Sequence, residues 1–201
     1  MEVEHQTGER YGAERNQPLG QGFWMETWEG RAELELDDGT LVRLGAQTLV
    51  HLSDLTKLST GQRIALLSLE RGTLYVTGEP AKGDALVVVA PGREVSFLAG
   101  SRVRVEESAV AVREGRVKLH TPSVEMELSE GQGANVGEQF ELLTELPEGG
   151  LDAWSEQRDR EAAEQGSELD RYGKWAGEAW RPDAQEGFAP YRRGKWRWYE
   201  G

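Results

Sequence analysis

Cysteine is absent from the 201-residue chain, and basic residues are few. Without cysteine the chain has no disulfide, no thiol nucleophile and no thiolate ligand for a metal. Against 36 Asp plus Glu there are only 23 Lys plus Arg, which gives a formal net charge of −13. Nucleic acid and anionic membrane surfaces both require a basic face, so neither is expected as the main partner. No run of 18 apolar residues occurs, so the sequence predicts that this chain is not an integral membrane protein as it stands.

Only three histidines occur, at positions 5, 51 and 120. None has a second histidine or a suitable carboxylate at a metal-ligand spacing such as His-x-His or His-x-x-x-His, so no metal site is predicted. The sequence also lacks a Gly-x-Ser-x-Gly elbow, a phosphate loop and a dinucleotide fingerprint. These absences predict a protein with no cofactor and no catalytic residues. A hydrolase or cupin-like enzyme would need clustered histidines and carboxylates inside the β-domain, as when His51 and His120 converge with an acid on one cavity.

Carboxylates are plentiful, but their positions favour contact with solvent over chemistry. Glu33 and Glu35 alternate with apolar residues, so we expect them on the polar face of a strand rather than as a general acid/base pair. Asp37-Asp38-Gly39 supplies two acids and a glycine, which indicates a β-turn, because a calcium loop needs more acids in one loop. We interpret the acid excess as a solvated face of the strands.

Charge and aromatic residues divide the chain into two regions. Residues 1–150 hold 25 acids and 14 bases, a net charge of −11, whereas residues 151–201 hold 11 acids and 9 bases, a net charge of −2. The last 51 residues nevertheless carry nine of the 16 aromatic residues. A turn-rich stretch at 147–150 marks the boundary. We predict five parts: a polar N-terminal segment (1–22), a β-domain (23–143), a linker (144–150), a helix (151–166) and an aromatic segment (167–201).

The first 22 residues are polar and contain no apolar segment of about 7–15 residues, so the chain shows no targeting signal. Two interpretations stay open, namely a cytoplasmic protein with a frayed N-terminus and a chain that begins downstream of its targeting segment. The chain stops at Tyr199-Glu200-Gly201, directly after its most aromatic stretch, which favours the second. In that context we expect a periplasmic or exported protein.

Residues 23–143 alternate between apolar and polar residues, as in Ala32-Glu33-Leu34-Glu35. Turn signals recur about every 8–12 residues, with glycines such as Gly39 and Gly115 where a positive φ is expected. The pattern predicts an all-β domain of stacked short strands and hairpins, solenoid-like or sandwich-like, with no helix before residue 150. Leu86–Val89 is apolar on both sides and is expected to be the most buried strand. A recurring Gly-x-apolar-x-apolar form is explained either by generic hairpins or by a repeated structural unit.

Several stretches within residues 18–136 resemble the FecR-type domain in their order and spacing. They are Gly30–Leu44, Leu69–Val76, Val87–Pro91, Val95–Ser101, Val110–Leu119 and Leu128–Gln132. The resemblance implies an all-β domain of stacked strands and hairpins that is found in exported proteins. In the regulators that give the family its name, the domain belongs to a membrane-anchored anti-sigma factor with a cytoplasmic segment and one transmembrane helix before it. This sequence shows neither feature, so we do not expect the anti-sigma role to carry over.

Residues 151–166 predict a helix, with Asp152 as its N-terminal cap and Gly166 as its end. The stretch is rich in good helix formers, but its apolar face is thin and consists essentially of Trp154 with an alanine. We therefore expect an exposed helix that packs only through Trp154.

The aromatic segment contains a repeat, Gly173-Lys174-Trp175 and Gly194-Lys195-Trp196, separated by 21 residues. With its interleaved Tyr, Pro and Arg, it resembles aromatic repeats that follow FecR-type domains in bacterial exported proteins of unassigned function. Three roles stay open for the rings: structural packing, platforms for sugar rings, or a protein interface. The candidate contact residues are Trp175, Trp180, Tyr191, Trp196 and Trp198.

Together these observations predict a non-catalytic cell-envelope module for protein interaction, signal sensing or scaffolding. A protein partner in the envelope is expected. Nucleic acid is not, because residues 151–201 stay net acidic in spite of rings that could stack on bases. The alternative function is binding of peptidoglycan or another envelope polysaccharide through the aromatic segment.

Overall fold

A computed structural model describes residues 1–4, 10–14, 17–98, 100–137 and 139–176, with the backbone alone for 165–176. This part of the chain holds sixteen β-strands and one helix. The strands are β1 (Glu2–Glu4), β2 (Arg10–Gly12), β3 (Trp24–Glu26), β4 (Ala32–Glu35), β5 (Leu41–Leu44), β6 (Leu49–Lys57), β7 (Arg63–Arg71), β8 (Thr73–Gly78), β9 (Ala85–Ala90), β10 (Arg93–Phe97), β11 (Ser101–Glu106), β12 (Ala109–Glu114), β13 (Arg116–His120), β14 (Glu125–Ser129), β15 (Gly133–Val136) and β16 (Phe140–Leu143). The helix α1 spans Gly150–Ala176.

The strands form two sheets that share one apolar core. Sheet A has nine strands in the order β14-β13-β10-β9-β7-β6-β3-β1-β2, and sheet B has seven in the order β16-β15-β12-β11-β8-β5-β4. Strands β7 and β9 pair in parallel, whereas the hairpin neighbours are antiparallel. Buried side chains of both sheets meet in one cluster, which includes Val42, Leu44, Leu52, Leu67, Leu74, Val76, Val88, Val95, Val103, Val105, Val117 and Leu119. The predicted all-β fold of stacked strands and hairpins is confirmed, in the form of a sandwich.

The expectation that Leu86–Val89 forms the most buried strand is wrong. Within β9, Leu86 and Val88 are buried, but Val87 and Val89 lie on the opposite face and are only half-buried. Strand β8 is instead buried on both faces, since Leu74 and Val76 reach the core while Tyr75 on the outer face is 3% exposed. The outer face is covered there because α1 contacts β8.

The N-terminal segment contributes strands that the sequence did not predict. Strand β1 pairs with both β2 and β3 and so extends sheet A. Its Val3 is 1% exposed. A three-residue strand with one apolar side chain is too short to give a periodic signal, so the polar composition of residues 1–22 concealed it.

The helix is longer than predicted, because it continues past Gly166 to Ala176. A glycine inside a helix costs only about 1 kcal/mol relative to alanine. Gly166 is flanked by good helix formers and is therefore not enough to end the helix. Among the residues described, no helix is both long and apolar enough to cross a membrane.

Glycines at tight turns have the positive φ that the sequence predicts, 86° at Gly39 and 75° at Gly115. Gly72, between β7 and β8, has a φ of 88° and a second constraint. A Cβ on Gly72 would lie 2.4 Å from Thr48 Oγ1 and 2.6 Å from Thr48 Cα, whereas a Cβ on Gly39 would meet nothing within 4 Å. The two positions therefore share the backbone conformation and differ in the space around it.

This difference predicts unequal effects of alanine. We expect Gly39→Ala to lower the free energy of unfolding by about 1–2 kcal/mol through the left-handed backbone alone. Gly72→Ala adds a clash with backbone atoms and should cost about 3 kcal/mol or more. Urea denaturation of both variants measures the difference, and equal losses would contradict the close approach of Thr48 to Gly72.

Candidate functional site at the helix dock

The outer face of sheet B carries a row of large polar side chains across three adjacent strands. Arg43 of β5 lies opposite Tyr75 of β8, and Tyr75 lies opposite Arg104 of β11. Their neighbours along each strand, such as Val42 and Val76, reach the core, so these three side chains point outward. Arg43 and Arg104 are nevertheless only 1% and 3% exposed. Because an unpaired buried charge is strongly unfavourable, each guanidinium needs a carboxylate partner.

Helix α1 supplies these partners, and we call the contact the helix dock. On sheet B the helix dock consists of Arg43, Tyr75, Arg102, Arg104 and Arg113, and on α1 it consists of Leu151, Asp152, Ser155 and Asp159. The spacing of Asp152, Ser155 and Asp159, three and then four residues, puts them on one face of the helix. The face of α1 that meets the sheet is therefore mainly polar.

Asp152 holds the N-terminal end of α1 on the sheet. Its carboxylate accepts hydrogen bonds from Arg104 and from Arg113, the latter at 2.6 Å. The same carboxylate accepts a bond from the Gly149 amide at 2.8 Å. Asp152 is therefore in the first turn and reaches back to the residue before the helix, as the acid of a capping box does, instead of being the cap itself. The Pro147 carbonyl accepts bonds from Arg104 at 2.9 Å and from Arg113 at 2.7 Å.

Arg43 holds the second turn and the start of the third. Its Nη1 donates to the Ser155 carbonyl at 3.0 Å, and its Nη2 donates to Asp159 Oδ1 at 2.5 Å. Its Nε donates to Glu33 at 2.7 Å, so all three guanidinium nitrogens have acceptors. Burial lowers the pKa of Arg43, but the hydrogen bonds and charges of Asp159 and Glu33 outweigh burial and the net pKa is raised. Arg43 therefore stays charged at physiological pH.

Glu33 is part of this contact, which corrects the expectation that it is simply solvated. Its carboxylate lies 2.7 Å from Arg43 and 3.0 Å from Arg158 of α1, and its side chain is 22% exposed. Strand β4 is at the edge of sheet B, and α1 lies close enough to reach it. Glu33 therefore bridges an arginine of the sheet and an arginine of the helix.

Tyr75 lies among these charges. Burial raises the pKa of its phenol, and the carboxylates of Asp152 and Asp159 raise it further against the opposing effect of Arg102 and Arg113. The phenol therefore stays neutral throughout the physiological range. Arginine and neutral tyrosine do not exchange protons at that pH, so the chemistry of the helix dock is recognition of carboxylates rather than acid/base catalysis.

The prediction that α1 is exposed and packs only through Trp154 is wrong. Leu151, Asp152 and Ser155 are buried, whereas Trp154 is half-buried with the Arg31 guanidinium 5.7 Å from its ring centroid. The signal that could have revealed the contact is the acid, small residue, acid series at helical spacing, combined with arginines at outward positions of the strands. Hydrophobic periodicity does not register either feature.

The candidate contact residues of the aromatic segment are not tested by the structure. Trp175 lies near the end of α1, where the backbone alone is described. Trp180, Tyr191, Trp196 and Trp198 lie outside the described residues. Their roles stay predictions.

The two described histidines do not share a cavity. His51 of β6 stacks on Trp24 with ring centroids 4.3 Å apart, and its Nδ1 lies 2.9 Å from Ser53 Oγ. His120 is on β13, with β10, β9 and β7 between its strand and β6. Among the residues described, no group of three His, Asp or Glu is placed to hold a metal ion.

A cleft of about 360 Å³ lies on sheet A near the N-terminus. Its lining includes Glu2, Glu4, Glu26, Arg10 and Trp24. Arg10 donates to Glu4 at 2.5 Å, and Glu26 is paired with Arg71, so Glu4 and Glu26 are already engaged within the protein.

Comparison with known families and structures finds a match within the sandwich. Residues 25–118 match the family model described as FecR protein. The match runs from β3 to β13 and includes the sheet side of the helix dock, from Arg43 to Arg113. It confirms the resemblance to the FecR-type domain for these residues. No curated protein matches the chain.

Two solved structures share the fold. Both are crystal structures of a proposed anti-sigma factor from Parabacteroides distasonis, with TM-scores of 0.54 and 0.52 and sequence identities of 21% and 22%. Each alignment covers 61% of this chain and 59% of the matched chain. At this level of identity the likeness concerns the fold alone, and the chain spans about three fifths of the length of the proteins it matches.

The helix dock predicts a strong coupling between Arg43 and Asp159. Because truncation of one partner leaves the other charge poorly compensated, we expect Arg43→Ala to destabilise the fold by about 3 kcal/mol. A double-mutant cycle with Asp159→Asn, measured by urea denaturation, should give a coupling energy of about 1–3 kcal/mol. The matched control is the pair Arg116 and Glu127, whose side chains are 62% and 42% exposed. Its coupling should stay below about 1 kcal/mol, and equal couplings for the two pairs would contradict the helix dock.

Tyr75 predicts a loss of stability in alkali. An unfolded tyrosine ionises near pH 10, whereas burial raises the pKa of Tyr75 in the fold. Above about pH 10 the unfolded chain therefore loses a proton that the folded chain keeps, and the stability present at lower pH declines. We expect Tyr75→Phe to lose less unfolding free energy than the wild type between about pH 9 and pH 11. Parallel pH profiles from urea denaturation would contradict this assignment.

Proposed function

We propose that this chain is a non-catalytic cell-envelope module that senses or relays a signal through contacts with protein. The observation that carries the proposal is the FecR match over residues 25–118, which covers the centre of the sandwich. The shared fold with a proposed anti-sigma factor supports it, because that description implies a protein partner. The chemistry of the helix dock, arginines that bind carboxylates, is also that of recognition.

The proposal assigns different roles to the two regions of the chain. The sandwich is a rigid support, and the helix dock fixes the first turns of α1 on it through Arg43 and Arg104. Helix α1 leads into residues 177–201, in which Trp, Tyr and Arg are concentrated. These residue types are enriched at protein interfaces and dominate their energetics. We place the partner contact at Trp175, Trp180, Tyr191, Trp196 and Trp198, and we propose that the protein is exported.

A capture experiment with matched variants tests the partner contact. The tagged full chain is immobilised and exposed to an envelope extract, and a retained protein is identified by mass spectrometry. We expect the double variant Trp196→Ala/Trp198→Ala to lose this protein at least about tenfold, because buried interface tryptophans each contribute on the order of 2 kcal/mol or more. The control is Trp28→Ala, since Trp28 is 54% exposed on the sandwich and lies outside the aromatic segment.

Three outcomes would contradict the proposal. If Trp196→Ala/Trp198→Ala and Trp28→Ala retain the partner protein equally, the partner contact lies outside Trp196 and Trp198. Turnover of a substrate by the purified chain would contradict a non-catalytic role. The third outcome is that no protein is retained and that muropeptides bind the wild type but not Trp196→Ala/Trp198→Ala. This outcome would favour the glycan alternative, for which no described residue offers support.

A further inference from the structure

The contact between α1 and sheet B consists mainly of groups that water also solvates well. On the helix side Asp152, Asp159 and the Ser155 carbonyl face the sheet, and on the sheet side arginines face the helix. Burial of such pairs costs desolvation that offsets much of their mutual attraction. Separation of α1 from sheet B would therefore expose charged side chains to water instead of an apolar core.

The contact between the two sheets is apolar instead of polar. The two sheets meet through Val and Leu side chains that are fully buried, and separating them would expose a large apolar area. Helix α1 can accordingly leave the sheet while the sandwich stays folded. Detachment of the helix at the helix dock therefore costs less free energy than separation of the two sheets.

Detachment would leave an arginine-rich surface with incomplete pairing. Arg104 would keep Glu106 at 2.8 Å and Arg102 would keep Glu114 at 3.3 Å, both on sheet B. Arg113, in contrast, would lose its ion pair with Asp152, which is 2.6 Å away in the docked state. The exposed face would carry four arginines, at 43, 102, 104 and 113, and three glutamates, at 33, 106 and 114. Glu35 lies on the same face of β4 as Glu33, so the positive and negative charges of this surface are equal in number, on a chain whose total charge is −13.

The side chains of α1 define what this surface accepts. Two carboxylates seven residues apart are about 10.5 Å apart along a helix, which is two turns. Asp152 fits between Arg104 and Arg113, and Asp159 lies at Arg43 with Arg102 3.7 Å away. Ser155, midway between the two carboxylates, is fully buried, so the helix approaches the sheet closely there. A ligand of this surface is therefore a helix with two acids seven residues apart and a small residue between them.

We propose that the helix dock is a binding site for an acidic helix, which α1 occupies within the chain and which a partner protein's helix of the same pattern occupies when α1 is released. The inference rests on the proposed function for the existence of such a partner. Only six residues, 144–149, join β16 to α1, so the helix is held near the site at a high effective concentration. An external helix competes poorly until α1 is weakened, which makes α1 an autoinhibitory occupant.

A labelled peptide tests the proposal without any envelope partner. The probe has the sequence of residues 149–165, and the control peptide replaces both Asp152 and Asp159 with Asn. The receptor is the full chain as wild type, as the double variant Asp152→Asn/Asp159→Asn, and as the double variant Glu148→Gln/Glu156→Gln. The last variant removes the same two charges at exposed positions outside the helix dock.

We expect the probe to bind the Asp variant at least tenfold more tightly than it binds the wild type or the Glu variant, by fluorescence anisotropy. The control peptide should bind none of the three, and added salt should weaken the binding of the probe because the contact is ionic. Equal binding of the probe to all three receptors, or to none, would overturn the proposal. Because the assay depends neither on the aromatic segment of this chain nor on an extract, its failure is distinguishable from failure of the capture experiment.

Hydrogen exchange of the same variants shows whether α1 detaches on its own. In the wild type, amides of residues 153–164 should exchange at least tenfold faster than the slowest amides of β7, β8 and β11, because detachment of α1 requires less free energy than global unfolding. In the Asp variant, and in the milder single variant Asp159→Asn, the α1 amides should exchange at least tenfold faster than in the wild type and still faster than those of the strands. Equal opening free energies for α1 and for these strands would mean that the helix leaves only with global unfolding, and would overturn the proposal.

Discussion

Burial of the Arg43 guanidinium on the outer face of a sheet is the constraint on which the position of α1 depends. Arg43 is 1% exposed, and its three nitrogens donate to Glu33, to the Ser155 carbonyl and to Asp159. Two of these acceptors belong to α1. Asp152, held by Arg104 and Arg113, is a second fixed point near the helix N-terminus. Two fixed points on one face determine both the direction of the helix axis and its rotation about that axis.

The sandwich could be predicted from sequence because alternation reports which side of a strand faces an apolar core. Val42 and Leu44 flank Arg43, and the structure places the pair inside and the arginine outside. Gly39 and Gly115 likewise have the positive φ that their turn positions require. Prediction failed where a strand is too short for periodicity, as at Val3 of β1. It also failed at β9, where the apolar run includes Val87 and Val89, which lie on the outer face of sheet A and are only half-buried.

The helix dock could not be predicted for a different physical reason. Apolar periodicity measures hydrophobic contact, whereas α1 meets the sheet mainly through Asp152 and Asp159. A solvated helix carries the same residue types at the same spacing, so the pattern becomes informative only when its partners are known. Those partners are remote in sequence, since Arg43 and Asp159 are separated by 116 residues. Only the fold, which aligns β5, β8 and β11 with the helix, identifies the acids as buried contacts.

The boundary of the family match separates the two sides of the helix dock. Arg43, Arg104 and Arg113 lie within the matched residues 25–118, whereas Asp152 and Asp159 lie beyond them. The arginine face thus lies within the matched part of the sandwich, whereas the acidic helix, like strands β14 to β16, lies outside it. An apolar face in that place would accept many apolar helices, because hydrophobic contact is not directional. A face of paired guanidinium groups instead discriminates by the positions of two carboxylates, and it penalises any helix that leaves an arginine unpaired. The ionic character of the contact therefore provides specificity more than stability, which suits a surface whose occupant is exchanged.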